Sequence, residues 1–236
     1  MCRTLSPTAL AVPALALFAL TTVGALAQGP SLQGRIDGDK YIAPSGAYSV
    51  AIPVIRELGG TIIDSANVVT FQDEFSTLIS VAAFPQDATQ RWELSTRGTK
   101  DYLIYFFESF VMNDFRKAFP ATTAEPSARY VPTLFDGSLI TFALLPGGSM
   151  FADHTFNFQN DAHSLVAKRG NLLFVKNGYT YVISMELAER VTEPTKFNKS
   201  SDEEDIILRE RLTSFAAKLH FASAPTAAPG AAPAAH

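Results

Sequence analysis

The sequence predicts an α+β fold in which two amphipathic helices pack on an antiparallel β-sheet. Residues 99–119 and 201–219 have a helical apolar period, whereas the segments around them alternate apolar and polar residues. Asn177-Gly178 joins two such segments, and this dipeptide favours the tight turn of a β-hairpin. A strand with one apolar face needs a partner layer, which the helices supply.

The first helix, TKDYLIYFFESFVMNDFRKAF, is predicted by its spacing. Thr99 is the predicted N-cap, Asp101 lies in the first turn, and Pro120 ends the helix. At about 100° per residue, one arc collects most of the apolar side chains and is predicted to face the sheet: Leu103, Ile104, Phe107, Phe110, Val111, Phe115 and Ala118.

Four large side chains fall on or beside the polar face of this helix, namely Tyr102, Tyr105, Phe106 and Met112. Two interpretations are open. Neighbouring loops could cover them, or they could form a second contact surface. We predict the latter and treat these four residues as candidate partner-binding residues.

The strands are predicted in chain order. The first follows a Pro-Ser-Gly turn and contains Tyr48 to Ile52, the next two lie around Val69 to Phe71 and Thr77 to Phe84, and Pro85 to Gly98 connects to the helix. After the helix, six segments are predicted as strands: 130–135, 139–145, 150–158, 164–168, 172–176 and 179–187. Turns between them are predicted at Asp136-Gly137, Arg169-Gly170-Asn171 and Asn177-Gly178.

The second helix, at 201–219, begins with a predicted capping box formed by Ser201 and Glu204. Its apolar stripe contains Leu208, Leu212, Phe215, Ala216 and Leu219.

Residues 1–27 resemble a secretory signal peptide. Arg3 precedes an apolar run, and Ala25-Leu26-Ala27 predicts cleavage between Ala27 and Gln28. An uncleaved membrane anchor is the alternative, since the run is nearly long enough to span a bilayer. Either way the chain is predicted to be exported, to the periplasm or the extracellular space.

The rest of the chain is divided by composition. Residues 28–40 are Gly-rich and polar and are interpreted as a flexible leader, residues 41–221 as one domain, and residues 222–236 as a disordered Ala/Pro-rich tail. No later apolar run reaches membrane-spanning length.

Composition excludes several chemistries. The only cysteine, Cys2, lies in the predicted signal peptide, so the mature chain would have no disulfide, thiolate nucleophile or cysteine metal site. A net charge of −4 argues against a nucleic-acid partner.

Catalytic sequence motifs for serine hydrolases, phosphate loops, dinucleotide sites and zinc proteases are absent. Asp153, His154, Asp161 and His163 form the best metal-like group, but a hairpin at residues 160–161 would hold the histidines roughly 13 Å apart. We therefore predict no metal site and no cofactor.

The order of elements resembles the PsbP-like fold, which includes the extrinsic subunit of photosystem II, its bacterial relatives and nuclear Ran-binding proteins. The resemblance covers Tyr41 to Phe221 and rests on four segments: YIAPSGAYSVAIP, VVTFQDEFSTLISVAAFP, YTYVISMEL and LTSFAAKLHF. It implies an antiparallel sheet sandwiched by helices (α/β/α) and a non-catalytic, partner-binding role. None of that family's functional positions can be matched here.

The sequence therefore predicts a secreted or periplasmic binding or accessory module, not an enzyme, whose partner is another protein or an envelope complex. Two alternatives stay open. One is a carrier of an apolar small molecule, which would need a cavity of about 300 Å³ or more between sheet and helix. The other is a hydrolase that uses His154 or His163 with a carboxylate.

Overall fold

The computed structural model describes residues 32–151 and 165–222, which form a mixed α and β structure. Its strands are β1 (Arg35–Asp37), β2 (Lys40–Ile42), β3 (Tyr48–Ala51), β4 (Thr61–Asp64), β5 (Val68–Gln72), β6 (Leu78–Pro85), β7 (Thr123–Ala124), β8 (Arg129–Val131), β9 (Ser138–Pro146), β10 (Val166–Lys176), β11 (Tyr179–Glu186) and β12 (Leu219–Phe221). Its helices are α1 (Ala88–Arg97), α2 (Thr99–Phe106), α3 (Met112–Ala118), α4 (Glu189–Thr192) and α5 (Ser201–Ala216), with a 3₁₀ turn at Arg56–Leu58 and a π turn at Phe107–Val111.

The strands form two antiparallel sheets. The large sheet has the order β4-β5-β6-β11-β10-β9-β7, and β8 also pairs with β9. The small sheet has the order β1-β2-β3-β12. The α+β class with antiparallel pairing is confirmed, but the second sheet is an addition that the sequence did not predict.

Each face of the large sheet buries its own apolar core. On one face α2, the π turn and α3 pack on small and branched side chains of β6, β9, β10 and β11, such as Ala82, Leu139 and Val182. On the other face lie α5 and the small sheet, with Leu208 and Tyr41 in one continuous cluster. Successive side chains of a strand point to opposite faces of the sheet, so each central strand contributes residues to both cores.

The Asn177-Gly178 hairpin is confirmed. Lys176 pairs with Tyr179 across it, and the two turn residues have φ angles of 50° and 79°. Asparagine and glycine tolerate this left-handed region better than other residues, which explains why the dipeptide predicts the turn.

The turn predicted at Arg169-Gly170-Asn171 is wrong, because β10 runs through it without a break. A Cβ atom on Gly170 would lie 2.9 Å from Leu212 Cδ1 and 3.1 Å from Leu208 Cβ. The glycine therefore lets α5 approach the sheet closely. In the sequence, a glycine that permits such packing cannot be distinguished from one that permits a turn.

Helix and strand boundaries differ from the predictions at several points. The connector 85–98 contains α1, whose capping box joins Asp87 and Gln90. The capping box of α5 joins Ser200 and Glu203, one residue before the predicted pair. The helix ends at Ala216, and after a two-residue turn the chain forms β12 from Leu219.

Two further predictions are corrected. The hairpin predicted at Asp136-Gly137 is present, since β8 pairs with β9, but its loop is longer than two residues, and Phe135 and Asp136 in this loop both have positive φ. Part of the leader interpreted as flexible, residues 28–40, forms β1 and the start of β2. The domain boundaries themselves stay a prediction.

Several predictions lie outside the described residues: the signal peptide, the cleavage site at Ala27 and Gln28, most of the strand predicted at 150–158, and the tail after residue 222. Within the described ranges, the structure contains no helix that is long and apolar enough to cross a membrane.

Asp64 at the end of β4 links the two sheets. Its carboxylate accepts hydrogen bonds from the backbone N–H groups of Gln33 (2.9 Å) and Gly34 (2.7 Å) and from the Tyr41 hydroxyl (2.8 Å). Burial acts to raise the pKa of Asp64, but these three donors outweigh it and hold the pKa below its usual value of 3.8.

We therefore expect the link to weaken in acid. A depressed pKa in the folded state contributes stability that is present above the unfolded pKa and is lost as the pH falls through the folded value. An NMR titration should place the midpoint of Asp64 below 3.8, and Asp64→Asn should flatten the acid slope of the unfolding free energy. A midpoint at or above the usual value would contradict this.

Candidate functional site

The four residues predicted to bind a partner do not form a surface. Tyr102 and Met112 are 0% exposed and Phe106 is 2% exposed, within the core between the helices and the large sheet. Tyr105 alone is half-buried, at the edge of that core. The placement of Tyr102, Phe106 and Met112 on the polar face is therefore wrong, and the binding role of Tyr105 stays a prediction.

The π turn explains part of this error. The N–H of Met112 donates to the carbonyl of Phe107, five residues earlier, so one extra residue fits into the turn. The predicted arc is based on 3.6 residues per turn, and the inserted residue brings Met112 to the buried side. Ile104 and Phe110, predicted to face the sheet, are instead about 40% exposed.

The side chain of Tyr102 is fixed by polar contacts as well as by packing. Its hydroxyl lies 2.8 Å from Thr180 Oγ1 on β11, which also accepts from Gln86 Nε2 at 3.3 Å. Tyr105 packs edge-on against Phe110, and the Arg97 guanidinium lies 4.7 Å above the Tyr105 ring. The Tyr102 contact attaches α2 to the sheet, whereas the Tyr105 contacts join α2 to the π turn and to α1.

The metal-like group Asp153, His154, Asp161 and His163 lies outside the described residues. Among the residues that the structure does describe, no group of three histidine, cysteine or acidic side chains could hold a metal ion. The hydrolase alternative, which depends on His154 or His163, stays a prediction.

A charge cluster is buried where α5 begins. Lys168 on β10 is fully buried, and its ammonium lies 2.8 Å from Glu125 Oε2, 2.7 Å from Asp205 Oδ1 and 3.4 Å from Glu204 Oε2. It also donates to Ser201 Oγ at 2.8 Å. The cluster therefore connects β10, the segment after β7 and the first turn of α5.

This cluster is not arranged for catalysis. Burial acts to lower the pKa of Lys168, but Asp205 and Glu125 outweigh burial and raise it above its usual 10.5. A lysine held protonated is not a nucleophile. Glu204 also accepts from Arg190 at 2.6 and 2.8 Å, so each of the three carboxylates is in contact with at least one cation.

Glu186 is likewise fully engaged. It accepts from Ser149 Oγ at 2.6 Å, from the N–H of Met150 at 3.2 Å and from Arg169 Nη2 at 3.1 Å. An acid or base catalyst needs a free position for a substrate proton, and this carboxylate has none.

An open cleft of about 520 Å³ lies between α5 and the ends of β6 and β11. Leu78, Ile79, Met185 and Phe215 supply an apolar floor. Five of its lining side chains are charged: Glu186, Glu189, Glu210, Arg211 and Lys218. Burying an apolar molecule here would dehydrate these groups, so the cleft does not favour the apolar-carrier alternative.

Exposed apolar side chains gather at one end of the large sheet. We name the following set the β4-end patch, and each member is more than half exposed: Ile55, Leu58, Ile63, Phe75 and Met150. A hollow of about 250 Å³ lies beside Met150, and its lining includes Gly59 and Glu74, the chain neighbours of Leu58 and Phe75. The sequence does not reveal this patch, because its members come from three separate segments.

Charged side chains accompany the β4-end patch. Arg56, Glu57 and Glu74 are exposed beside its apolar members, and a Cβ atom on Gly59 would lie 3.3 Å from the Glu74 side chain, so the two segments are in contact. Apolar side chains with a polar rim are typical of protein interaction sites.

Comparison with known proteins gives matches among solved structures only. No family model matches the chain, and the search of curated proteins found no match. Among solved structures, the chain is similar to cyanobacterial PsbP (CyanoP) from Synechocystis sp. PCC 6803, with 15% identity, a TM-score of 0.44, and coverage of 78% of this chain and 91% of that one. It is also similar to the Ran-binding protein Mog1p of Saccharomyces cerevisiae, with 10% identity and a TM-score of 0.44. The match covers 81% of this chain and 96% of Mog1p.

A third similar structure comes from Bacteroides thetaiotaomicron VPI-5482, with 13% identity and a TM-score of 0.39, covering 80% of this chain. The chain spans half the length of that protein. PsbP and the Ran-binding protein belong to the family that the sequence resembles. At TM-scores below 0.5, these matches say nothing about the partner of this chain.

Proposed function

We propose that this chain is a non-catalytic binding or accessory module that acts through contacts with another protein. The observation that carries the proposal is the β4-end patch, where five large apolar side chains are each more than half exposed. Exposed apolar area of this kind is costly in water, at about 25 cal/mol per Å², and a protein partner would remove that cost.

The occupant that suits the patch is a protein surface with an apolar centre. β4 is an edge strand of the large sheet, and the backbone of an edge strand offers hydrogen-bond groups that a partner chain can use. Arg56, Glu57 and Glu74 would stay at the rim, where charged side chains remain partly hydrated.

Charge substitutions in the patch test this proposal. We expect Leu58→Asp and Phe75→Asp each to weaken affinity for a partner purified from an envelope extract by about tenfold or more, since each places a charge in an apolar contact. Trp92→Asp is the matched control, because Trp92 is similarly exposed on α1 and lies outside the patch. Affinity is measured by surface plasmon resonance, and melting temperature checks the fold.

Equal weakening by Trp92→Asp would show that the effect is not specific to the patch. Unchanged affinity in Leu58→Asp and Phe75→Asp, with a partner bound, would place the interface elsewhere and contradict the proposal.

We also propose that the module is exported. The support is the signal-peptide pattern of residues 1–27, with cleavage between Ala27 and Gln28. The intact mass of the protein recovered from the cell envelope should correspond to a chain that begins at Gln28. Recovery of the full-length chain from membranes would favour the uncleaved anchor instead.

A further inference from the structure

One edge of the large sheet is formed by β4, whose only partner strand among the described residues is β5. In an antiparallel pair, every second residue exchanges backbone hydrogen bonds with the neighbouring strand. The residues between them turn their N–H and C=O groups to the other side. On an edge strand, these outward groups are available to a further strand.

The hydrogen bond at the adjoining turn shows which residues of β4 face outward. The N–H of Ser65 donates to the carbonyl of Val68 at 2.8 Å, so this pair is hydrogen-bonded. Alternation places the next hydrogen-bonded positions at Ile63 and Thr61, which therefore bond to β5.

The other side of β5 agrees with this assignment. In the turn between β5 and β6, the N–H of Asp73 donates to the carbonyl of Thr77 at 2.9 Å. Phe71, two residues earlier, therefore bonds to β6. Thr70 and Gln72 then face β4, where they meet the two hydrogen-bonded residues of that strand.

Ile62 and Asp64 therefore turn their N–H and C=O groups away from β5. Among the described residues, none of these four groups bonds to the backbone of another element. The 3₁₀ turn covers the edge just before Thr61, where the N–H of Gly60 donates to the carbonyl of Ile55 at 2.9 Å. The accessible length is thus β4 itself, which offers four backbone groups to a partner.

The hollow beside Met150 lies on one face of the sheet, next to this edge. Thr61 is directly opposite Gln72, and Gln72 is directly opposite Leu78, so the three side chains point to the same face. All three line the hollow. A strand added to β4 alternates in the same way, so a long side chain beside Thr61 reaches the hollow.

The lining of the hollow is partly apolar and partly acidic. It contains Leu78, Met150 and Phe151 together with Asp73 and Glu74, and none of the described residues that line it is basic. Neither carboxylate forms an ion pair with a described lysine or arginine. A side chain with an aliphatic stem and a positive head group matches this lining.

The backbone holds Asp73 in its charged form. Its Oδ1 atom accepts from the N–H groups of Phe75 (2.9 Å), Ser76 (2.7 Å) and Thr77 (2.9 Å). Burial acts to raise the pKa of Asp73, but these donors outweigh it and hold the pKa below its usual value of 3.8. A cation that enters the hollow at neutral pH therefore meets an ionised carboxylate.

We propose that the partner adds an extended segment to β4 as a further strand of the large sheet, with a lysine or arginine beside Thr61 whose head group lies in the hollow. The inference rests on the function proposed above and specifies which part of the partner the β4-end patch receives. The backbone of the segment bonds to Ile62 and Asp64. Its apolar side chains contact Ile63, which is 52% exposed on the same face as the hollow.

Two variants of one residue test the backbone bonds, with the partner purified from an envelope extract. Ile62→Pro removes an outward N–H and leaves the bonds to β5 intact, since proline is tolerated where the N–H of an edge strand faces solvent. Ile62→Ala is the matched control, because it loses the same side-chain contacts and keeps the N–H. We expect Ile62→Pro to bind the partner about three- to tenfold more weakly than Ile62→Ala, the effect of losing one hydrogen bond.

Peptides test the side chain in the hollow. The probes are three nine-residue peptides in which valine and threonine alternate around a central lysine, norleucine or glutamate, and fluorescence anisotropy measures their affinity for the natural chain. We expect the lysine peptide to bind most tightly, and N-methylation of its backbone to abolish binding. Glu74→Gln should reduce the preference for lysine, whereas Glu57→Gln, at an exposed position outside the lining, should leave it unchanged.

The outcomes separate this inference from the proposed function. Suppose that Leu58→Asp and Phe75→Asp weaken partner affinity while Ile62→Pro and Ile62→Ala bind equally. The β4-end patch would then remain the interface, and strand addition would be wrong. Equal affinity of the three peptides, or no binding of any of them, would also overturn the inference.

Discussion

Replacing Lys168 with methionine is expected to lower the free energy of unfolding by about 3–5 kcal/mol, the usual effect of removing one member of a buried ion pair. The substitution leaves Glu125, Glu204 and Asp205 without the ammonium that lies within 3.4 Å of all three. Urea denaturation followed by circular dichroism measures the change.

A matched control separates buried from exposed charge. Lys176→Met removes a lysine that is only 3.7 Å from the almost fully exposed Asp136, and we expect a loss below about 1 kcal/mol. If the loss of stability in Lys168→Met comes from the carboxylates that no longer have a buried cation, adding Asp205→Asn should restore part of the free energy of unfolding. Equal losses for the two lysine variants would contradict the assignment.

The same lysine predicts a pH dependence. Its pKa is raised in the folded state, so its contribution is complete below the usual value of 10.5 and is lost as the pH rises through the folded pKa. The stability difference between the natural chain and Lys168→Met should therefore be constant near neutral pH and shrink above pH 10.5.

Phe106→Ala is expected to cost about 3–5 kcal/mol, because it empties a fully enclosed site in the core between α2 and the large sheet. Phe106 stacks on Phe110 at 4.8 Å and lies 6.0 Å from Phe84 and from Tyr102, so several rings lose contacts together.

Phe110→Ala is the comparison within the same helical segment. Phe110 is about 40% exposed, and we expect its removal to cost less than half as much as that of Phe106. Thermal and urea unfolding of both variants give the result. The opposite ranking would mean that the apolar arc predicted from 3.6 residues per turn, which places Phe110 inside and Phe106 outside, is correct after all.

The sequence predicts most of the elements because their signals are local. Alternation around Val69 and after Gly178 is enough to predict β5 and β11, and the stripe from Leu208 to Ala216 predicts α5. Strand pairing and helix packing follow from these faces. The confirmed α+β class depends on nothing more.

The errors arise where a residue has a tertiary role that resembles a local one. Gly170 permits contact with Leu208 and Leu212, but in the sequence it predicts a turn. The extra residue of the π turn cannot be detected from the spacing of apolar residues. Lys168 looks like an ordinary charged strand residue, because Glu125 is 43 positions away in the chain and α5 begins only after Ser200.

The candidate sites were less predictable than the fold. The β4-end patch gathers side chains from separate segments, so it forms no motif in the sequence. An aromatic-rich helix such as 99–118 offers more apolar residues than one arc can hold. Its periodicity therefore left Tyr102 and Phe106 on the wrong side.

The pairing of β12 with β3 affects the order in which the chain can fold during synthesis. Tyr48 and Val50 pair with Phe221 and Leu219, so residues from the beginning and the end of the folded region meet in one small sheet. All strands of the large sheet precede α5 in the chain and can pair before the last segment leaves the ribosome. The small sheet closes last, and a chain cut before Leu219 would leave β3 with an open edge.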